Sequence, residues 1–450
     1  MDELKKYKPY ELYSDTNAVW YKKKPTHWVC ERFKYNFREK KKKNATELPA
    51  GSISFGEVVF KNEDNLSQDT KESYQEVLTG EFLINPLNLN FDLKSLRTAL
   101  STINVVVSTG YIVLQGCGLL HSRFARWLLQ QFDVSHMKTL GAGVRQTINY
   151  ADIGNSIFCR PTLKEQKVIA AFLDHETAKI DNLIAKQQQL IELLKEKRQA
   201  VISHAVTKGL NPDVPMKDSG VEWLGEVPEH WIVRRLKHTA NLQSGIPKGK
   251  DLTGKNSISV PMLRVANVQD GYLDLEDVHA IDIEPSQLER YLLRDGDVLM
   301  NEGGDNDQLG RGAVWSASID NCIHQNHVFA IRPQNIESDW LDMLTRAAYA
   351  KFHFYRVAKQ STNLASISST NIKETPLLIP PVEERVEILK FIKLQLGRLK
   401  KSEELSVNQV ALLQERRTAL ISAAVTGKID VRDWVAPDTQ GVEEPQEATA

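Results

Sequence analysis

The sequence has little of what most quickly betrays chemistry. Its four cysteines, Cys30, Cys117, Cys159 and Cys322, form no CxxC pair, which speaks against a zinc knuckle or a thiol redox motif. With no secretory signal peptide, so sparse a set suits a reducing cytoplasm better than a disulfide framework. No apolar run approaches the length of a membrane span. The formal net charge of −1 does not announce a polyanion partner. There is no GxxxxGK[ST] phosphate cradle, no FxGxG-like loop after a strand, and no Ser-His-Asp or Cys-His constellation. An amino-methyltransferase needs Asn/Asp-Pro-Pro-aromatic around its target amine; Asn85-Pro86-Leu87 lacks the second proline and the ring. His324 and His327 sit three apart without a third ligand nearby, and read as hydrogen-bonding residues. The absences argue against an enzyme.

What is present is a duplication. Residues 161–207 and 380–426 align without a gap at a constant offset of 219. Pro161, Glu165, Ile169, Phe172, Leu193, Leu194, Glu196, Arg198 and Ile202 recur as Pro380, Glu384, Ile388, Phe391, Leu412, Leu413, Glu415, Arg417 and Ile421. At an offset of 203, Asp15, Trp20, Pro25, His27, Trp28, Arg32 and Lys34 return as Asp218, Trp223, Pro228, His230, Trp231, Arg235 and Lys237. Between these anchors the halves scarcely resemble each other. The period is far too long for a solenoid. A shared frame around divergent interiors is the pattern of two modules of one fold with different ligands.

The coarse reading is an α+β chain in five parts: a mixed domain over 1–160, a long helix over 161–211, a second mixed domain over 212–379, a second long helix over 380–432, and an acidic tail over 433–450. Strands are expected at 103–107, 111–114, 260–268 and 328–331, with a loop over Asn301–Gly312. Between Thr162 and Lys208 there is neither Gly nor Pro. The apolar residues Ile169, Leu173, Ile180, Leu183, Leu190, Leu194 and Val201 alternate near three and four apart, the spacing of a coiled-coil seam. The second helix has its seam at Ile392, Leu396, Leu399, Val410, Leu413 and Leu420. About 40 helical residues span roughly 60 Å, which outruns a small domain. The two helices are therefore expected to pack antiparallel on each other. The tail is too acidic and Pro-rich to build a core.

Charge is unevenly spread. Residues 1–160 carry 22 Lys+Arg against 17 Asp+Glu, and residues 212–379 carry 17 against 23. If both modules bind a polyanion, the second must use a local basic strip.

Several blocks carry a family resemblance. They are Trp223-Leu224-Gly225-Glu226-Val227-Pro228-Glu229-His230-Trp231, Leu263-Arg264-Val265-Ala266-Asn267, Gly296-Asp297-Val298-Leu299-Met300-Asn301 running into Gly303-Gly304-Asp305, Gly310-Arg311-Gly312, His324-Gln325-Asn326-His327, and Thr426-Gly427-Lys428-Ile429-Asp430. With these the chain resembles the specificity subunit of a type I restriction-modification system, densely in 212–430 and by architecture throughout. The first module lacks the Gly-Gly-Asp loop and the Gly-Arg-Gly turn. The resemblance implies two pseudo-symmetric target-recognition domains, each reading one part of a bipartite, asymmetric double-stranded DNA target. It implies coiled-coil helices that set the gap and dock two methyltransferase subunits, with two motor-nuclease restriction subunits added. S-adenosylmethionine would belong to the methyltransferase partners, ATP and magnesium to the restriction subunits, and no cofactor or metal to this chain.

Base and phosphate contacts need Arg, Lys, Asn, Gln, Ser or Thr at an exposed face. In the second module Lys248, Lys250, Arg311, Gln325, Asn326, Lys359, Ser361, Thr362 and Asn363 are the candidates. In the first they are Lys40, Lys41, Lys42, Lys43, Arg145 and Gln146. Trp20, Trp28, Trp223 and Trp231 are assigned to packing, because a residue shared by both halves cannot explain two specificities. Glu196, Arg198, Glu415 and Arg417 are assigned to helix–helix or partner docking. The competing reading is a coiled-coil scaffold that binds proteins and not DNA.

Overall fold

The computed structural model describes residues 7–54, 56–64, 66–87, 96–140, 147–247, 256–304, 309–360 and 365–436. The chain forms two compact units, one of Met1–Gln187 with Asn408–Ala450, the other of Gln188–Val407. Each therefore holds one mixed domain, the opening part of the helix that follows it, and the closing part of the other long helix.

In the first unit the hairpin Tyr13–Asp15/Lys23–Pro25 leads into Val29–Arg32, which pairs antiparallel with Ile157–Arg160. A six-stranded sheet runs in the order Phe37–Glu39, Ile112–Gly116, Phe82–Ile84, Thr98–Leu100, Glu57–Phe60, Gly51–Ser54. Alternation sorts its side chains. Phe82, Ile84, Ile112 and Leu114 join the core beneath the helix Ser122–Ser135, with its Phe124, Trp127, Leu128 and Phe132. Leu83, Ala99 and Val113 point the other way, onto Val58, Val77, Val105 and Val107.

The second unit repeats the frame and changes the interior. Its hairpin is Met216–Asp218/Glu226–Pro228, and Ile232–Arg235 pairs with Pro376–Ile379. The single large sheet gives way to a four-stranded sheet (Ala240–Ser244, Val328–Pro333, Val298–Asn301, Gly312–Val314) and two three-stranded ones (His279–Ile283, Ile258–Leu263, Ile323–His324; and Gly303–Gly304, Ala365–Ser366, Lys359–Gln360). The expected strands are found with shifted ends, except that the one expected over 260–268 stops at Leu263 and its second half is the 3-10 turn Val265–Asn267. The stretch expected as a loop is only partly one: Gly303–Gly304 pairs with Ala365–Ser366. A Cβ on Gly303 would stand 2.8 Å from the Ala365 carbonyl oxygen, so the absence of a side chain is what admits the neighbouring strand.

The cysteine expectation is corrected. Cys30 and Cys159 are disulfide-bonded, 129 residues apart in sequence. They lie directly opposite in the antiparallel pair Val29–Arg32/Ile157–Arg160. Spacing along the chain carries no trace of that meeting, and sparse cysteines no longer speak for a reducing compartment. Cys322 is buried, which pushes its thiol up to about 12.

The long helices span Leu163–Lys208 and Val382–Val425. Ile169, Phe172, Leu173 and Ile180 share a core with Leu413, Leu420, Ile421 and Ala424 in the first unit. Ile202, Ala205 and Val206 share one with Ile388, Leu389 and Ile392 in the second. The opening turns of one helix thus lie against the closing turns of the other, and the pair is antiparallel. Two seam residues depart from expectation: Leu183 is 47% exposed and Leu190 41%. Their neighbours Ile184 and Ile191 are the more buried. Where two apolar residues are adjacent, periodicity alone does not choose between them, because an α-helix drifts about 20° per heptad from a strict seam.

One carboxylate explains the repeated Pro-x-His-Trp block. In the first unit Glu165 Oε1 meets His27 Nε2 at 2.8 Å and accepts the Trp28 indole N–H at 3.4 Å. Its Oε2 accepts the Thr162 amide, while the Thr162 hydroxyl receives the Glu165 amide, a capping box at the helix start. In the second unit Glu384 Oε2 meets His230 Nε2 at 2.7 Å and the Trp231 indole at 3.1 Å. Trp28 and Trp231 are 2% and 0% exposed, which is the packing role expected of them. Burial tends to raise the Glu165 carboxyl, but the bonds from His27 and Thr162 hold it below its usual value. Each unit closes on the other helix's C-terminal glycine, Gly427 against Trp28 and Gly209 against Trp231, both with positive φ.

Candidate nucleic-acid interface

In the second unit the candidates converge through backbone pairing. Gly245 lets its strand end press against the His324–Gln325 segment: a Cβ there would lie 2.0 Å from the His324 carbonyl oxygen. Ile246 and Gln325 form a parallel bridge, and the Asn326 amide donates to the Ile246 carbonyl. The Glu302 amide donates to the His327 carbonyl, and the Ile367 amide to that of Glu302. Gly303 pairs with Ser366, which also faces Lys359. The Asn301 amide donates to the Arg311 carbonyl. Gln325, Asn326, Arg311 and Lys359 thus belong to one hydrogen-bonded row. Lys248, Lys250, Ser361, Thr362 and Asn363 lie outside the described residues. Of the described residues that border them, Gln360 and Ala365 pair within the same row, and Pro247 directly follows its Ile246.

The chemistry of that row is mixed. Lys359 and Gln360 are exposed. His327 is exposed too, its Nδ1 2.7 Å from Glu302 Oε2 and its Nε2 3.3 Å from the Asn326 amide nitrogen. The neighbouring His324 faces the opposite way. It is 1% exposed, its Nδ1 donating to the Val328 carbonyl at 2.6 Å, and burial depresses its pKa. Each histidine thus already has a partner of its own on Nδ1. The Arg311 guanidinium leans toward the Val265 carbonyl at 3.5 Å. Trp223, half-buried, is held between the His353 ring, stacked at 11°, and the Arg356 guanidinium at 4.0 Å from its centroid.

In the first unit the lysine run leaves the end of Phe37–Glu39 at the edge of the six-stranded sheet. Its members differ in environment. Lys40 points inward, with its ammonium 2.8 Å from Glu81, 3.2 Å from Glu76, and its side chain 10% exposed. Burial tends to raise the Glu76 carboxyl, but Lys40 and Lys43 hold it below its usual value. Lys40, a candidate contact by sequence, is instead the buried counter-ion of Glu76 and Glu81. Lys41, Lys42 and Lys43 are exposed. Lys42 donates to the Thr109 carbonyl at 2.9 Å and Lys43 lies 3.5 Å from Glu76. Arg145 and Gln146 fall outside the described residues. Thr147, next to them, bridges Leu87, which follows the strand Phe82–Ile84. Phe37–Glu39 and Phe82–Ile84 flank Ile112–Gly116 on opposite sides, both antiparallel to it, so the lysine run and Leu87 leave the sheet at the same end.

On the helices, Arg417 clasps Asp181 at 2.8 and 3.2 Å, and Arg198 pairs with Glu403. Both arginines hold helix to helix. Glu196 and Glu415 face outward. Leu193 and Leu412, one turn before each glutamate, are 52% and 60% exposed. Sequence reasoning passed over these two leucines although they stood in the repeat. Their exposure could not be read there, since a repeated apolar residue reads first as core.

No family model matches the chain. It is similar to the type I restriction enzyme EcoKI specificity subunit of Escherichia coli strain K12, 24% identical over 282 residues, 61% of this chain and 58% of the relative. It is similar to the putative type I restriction enzyme MjaX specificity subunit of Methanocaldococcus jannaschii, 28% identical over 173 residues, 38% of this chain and 40% of the relative. The StySPI specificity subunit of Salmonella potsdam is 24% identical over 286 residues, 61% of this chain and 58% of the relative. The chain therefore spans less than two thirds of the length of each of these curated relatives. A solved chain from work on complex assembly and conformational transition of the type I R-M system superposes with a TM-score of 0.65, at 15% identity, over 91% of this chain and 100% of that one. That likeness establishes the fold. By sequence, this chain is similar to specificity subunits of type I restriction enzymes, and its fold is that of a chain from a type I R-M system.

Proposed function

We propose that the chain is a non-catalytic subunit that reads a bipartite, asymmetric DNA sequence and directs cytoplasmic methyltransferase and restriction subunits to it. The observation that carries this reading is the duplicated frame around two different sheets. A shared scaffold holds two dissimilar polar surfaces, as two dissimilar half-sites require. One half-site is read from the row containing Gln325, Asn326 and Lys359. The other is read from the sheet end that bears Lys41, Lys42 and Lys43. Lysines at such a face neutralise phosphates, while Asn and Gln reach base edges.

Leu193 with Glu196, and Leu412 with Glu415, offer one apolar–acidic face twice. Two copies of one partner need the same face twice, and we assign them to two methyltransferase subunits. S-adenosylmethionine is bound by those partners, and ATP with magnesium by two restriction subunits. The experiment is to express this chain with the methyltransferase encoded beside it and to map methylated adenine across the host genome by single-molecule sequencing. The expected outcome is methylation at one split, non-palindromic motif that disappears when this chain is omitted. Active partners with no such motif would demote the chain to a scaffold.

A further inference from the structure

The first unit carries a recess that the DNA-reading function does not use. It encloses about 570 Å³ and is lined by Tyr13, Trp20, Tyr21, Lys22, Lys23 and Lys428. The polar atoms of its rings are already engaged. The Tyr13 hydroxyl donates to the Gly427 carbonyl at 3.0 Å, the Trp20 indole to the Ile157 carbonyl at 2.8 Å, and the Tyr21 oxygen accepts the Cys159 amide at 2.5 Å. The rings therefore present apolar surface. Lys24 is folded away, donating to the Trp28 carbonyl at 2.6 Å. Lys22, Lys23 and Lys428 are exposed and make no ion pair among the described residues. Three aromatic rings beneath three free ammonium groups select an anionic segment that also carries apolar residues.

The chain itself contains one. Residues 437–450 hold Asp438, Glu443, Glu444 and Glu447, with Val442 and Pro445 between them and no Lys, Arg or His. The path to it starts at the recess. From Lys428 the backbone runs alongside the N-terminal segment, the Asp430 amide donating to the Lys8 carbonyl, and Trp434 packs on Phe172 at 5.6 Å. Glu444 lies as many residues beyond Ala436 as Lys428 lies before it. Eight extended residues reach roughly 26–29 Å, so the sequence beyond Ala436 is long enough for Glu443 and Glu444 to reach Lys428.

We propose that the acidic segment 437–450 docks in this recess of its own chain, with Glu443 and Glu444 on Lys22, Lys23 and Lys428 and with Val442 or Pro445 on the rings. Docking covers the rings and neutralises a basic patch that would otherwise attract any polyanion.

The test is zero-length carbodiimide crosslinking of the full chain, read by peptide mass spectrometry on an equal mixture of ¹⁴N- and ¹⁵N-labelled protein. The Lys71–Glu63 pair, 2.9 Å apart, gives an internal measure of coupling yield. Amide links from Glu443, Glu444 or Glu447 to Lys22, Lys23 or Lys428 within singly labelled chains are expected. They should fall at least five-fold in K22Q/K23Q/K428Q, three exposed substitutions compatible with folding. Links chiefly to Lys41–Lys43, links joining differently labelled chains, or no tail links while Lys71–Glu63 couples would each overturn the proposal.

Discussion

The lysine run at the edge of the first sheet offers a test in which four adjacent residues of one type should behave as two classes. Lys40 is the counter-ion of Glu76 and Glu81, whose side chains are each 9% exposed. Gln115 and the Leu78 amide supply further hydrogen bonds to Glu81. Replacing Lys40 with Met leaves the buried Glu81 carboxylate without its cation and Glu76 with only the Lys43 ammonium at 3.5 Å, a loss of about 3–5 kcal/mol by analogy with other broken buried pairs. Lys41, Lys42 and Lys43 stand in solvent, and their ion pairs and hydrogen bonds contribute at most about 1 kcal/mol. Replacing those three with Gln should leave stability nearly unchanged. If they neutralise phosphates, the slope of log K against log salt should flatten by about 0.9 for each phosphate left without its lysine. The assay is fluorescence anisotropy of the methyltransferase-bound chain on its mapped target at several salt concentrations, beside urea unfolding of the same variants. K41Q/K42Q/K43Q with an unchanged slope would refute the assignment to phosphates. K40M with wild-type stability and a flattened slope would refute the division into two classes.

Ala at Gly427 places a Cβ 2.5 Å from Pro25 Cδ at φ +73°, whereas at Gly209 the nearest approach is 3.1 Å at φ +77°. Urea unfolding should show G427A losing about 2–4 kcal/mol and G209A about 1–2 kcal/mol; equal losses would show that crowding does not matter. Glu165→Gln and Glu384→Gln each turn an acceptor of indole N–H into a group that also donates. Each should cost about 1–3 kcal/mol and speed amide exchange in its own unit. His324 is kept neutral by burial, its pKa below the unfolded value near 6.5. Its contribution is present above that value and lost as pH falls below it, as is that of His353, which is depressed in the same way. H324Q should therefore lose less stability than wild type between pH 7.5 and 5.5, measured by urea midpoints. If the proposed methyltransferase copies dock on these two faces, Leu193→Glu and Leu412→Glu should each remove one copy in native mass spectrometry, and together both.

The frame was legible because duplication makes residues testify twice. Pro25, His27, Trp28 and Glu165 recur at fixed offsets, and they recur because one carboxylate collects an imidazole and an indole in each unit. The long helices were legible from composition and period. The Cys30–Cys159 bond was not, since only strand pairing brings those residues together. Lys40 could not be told from Lys41, because a lysine's partners across a sheet leave no mark on its neighbours in sequence. Nor could Leu193 and Leu412 be told from core, as both faces of a helix keep the same period.

The residues that fail to repeat are as informative as those that do. The facing pair Cys30 and Cys159 has as its counterpart Val233 and Leu378, directly opposite in the second unit. A disulfide and an aliphatic pair fill one position, so what is held constant there is strand pairing, and not the chemistry that closes it. The ammonium that caps the Trp28 carbonyl comes from Lys24, on the second strand of its hairpin. The one that caps Trp231 comes from Lys217, on the first strand of the other, at 2.7 Å. Lys24 aligns with Val227 and Lys217 with Ser14, so the same carbonyl is satisfied from opposite sides of one register. The frame is thus fixed at the level of backbone geometry and satisfied polar groups, which several sequences can supply. The sheets it carries, a six-stranded one in one unit and one of four with two of three in the other, are under no such common demand. Drift concentrated in the sheets, against a frame that keeps its geometry through changed residues, is what separate selection on two recognition surfaces would leave.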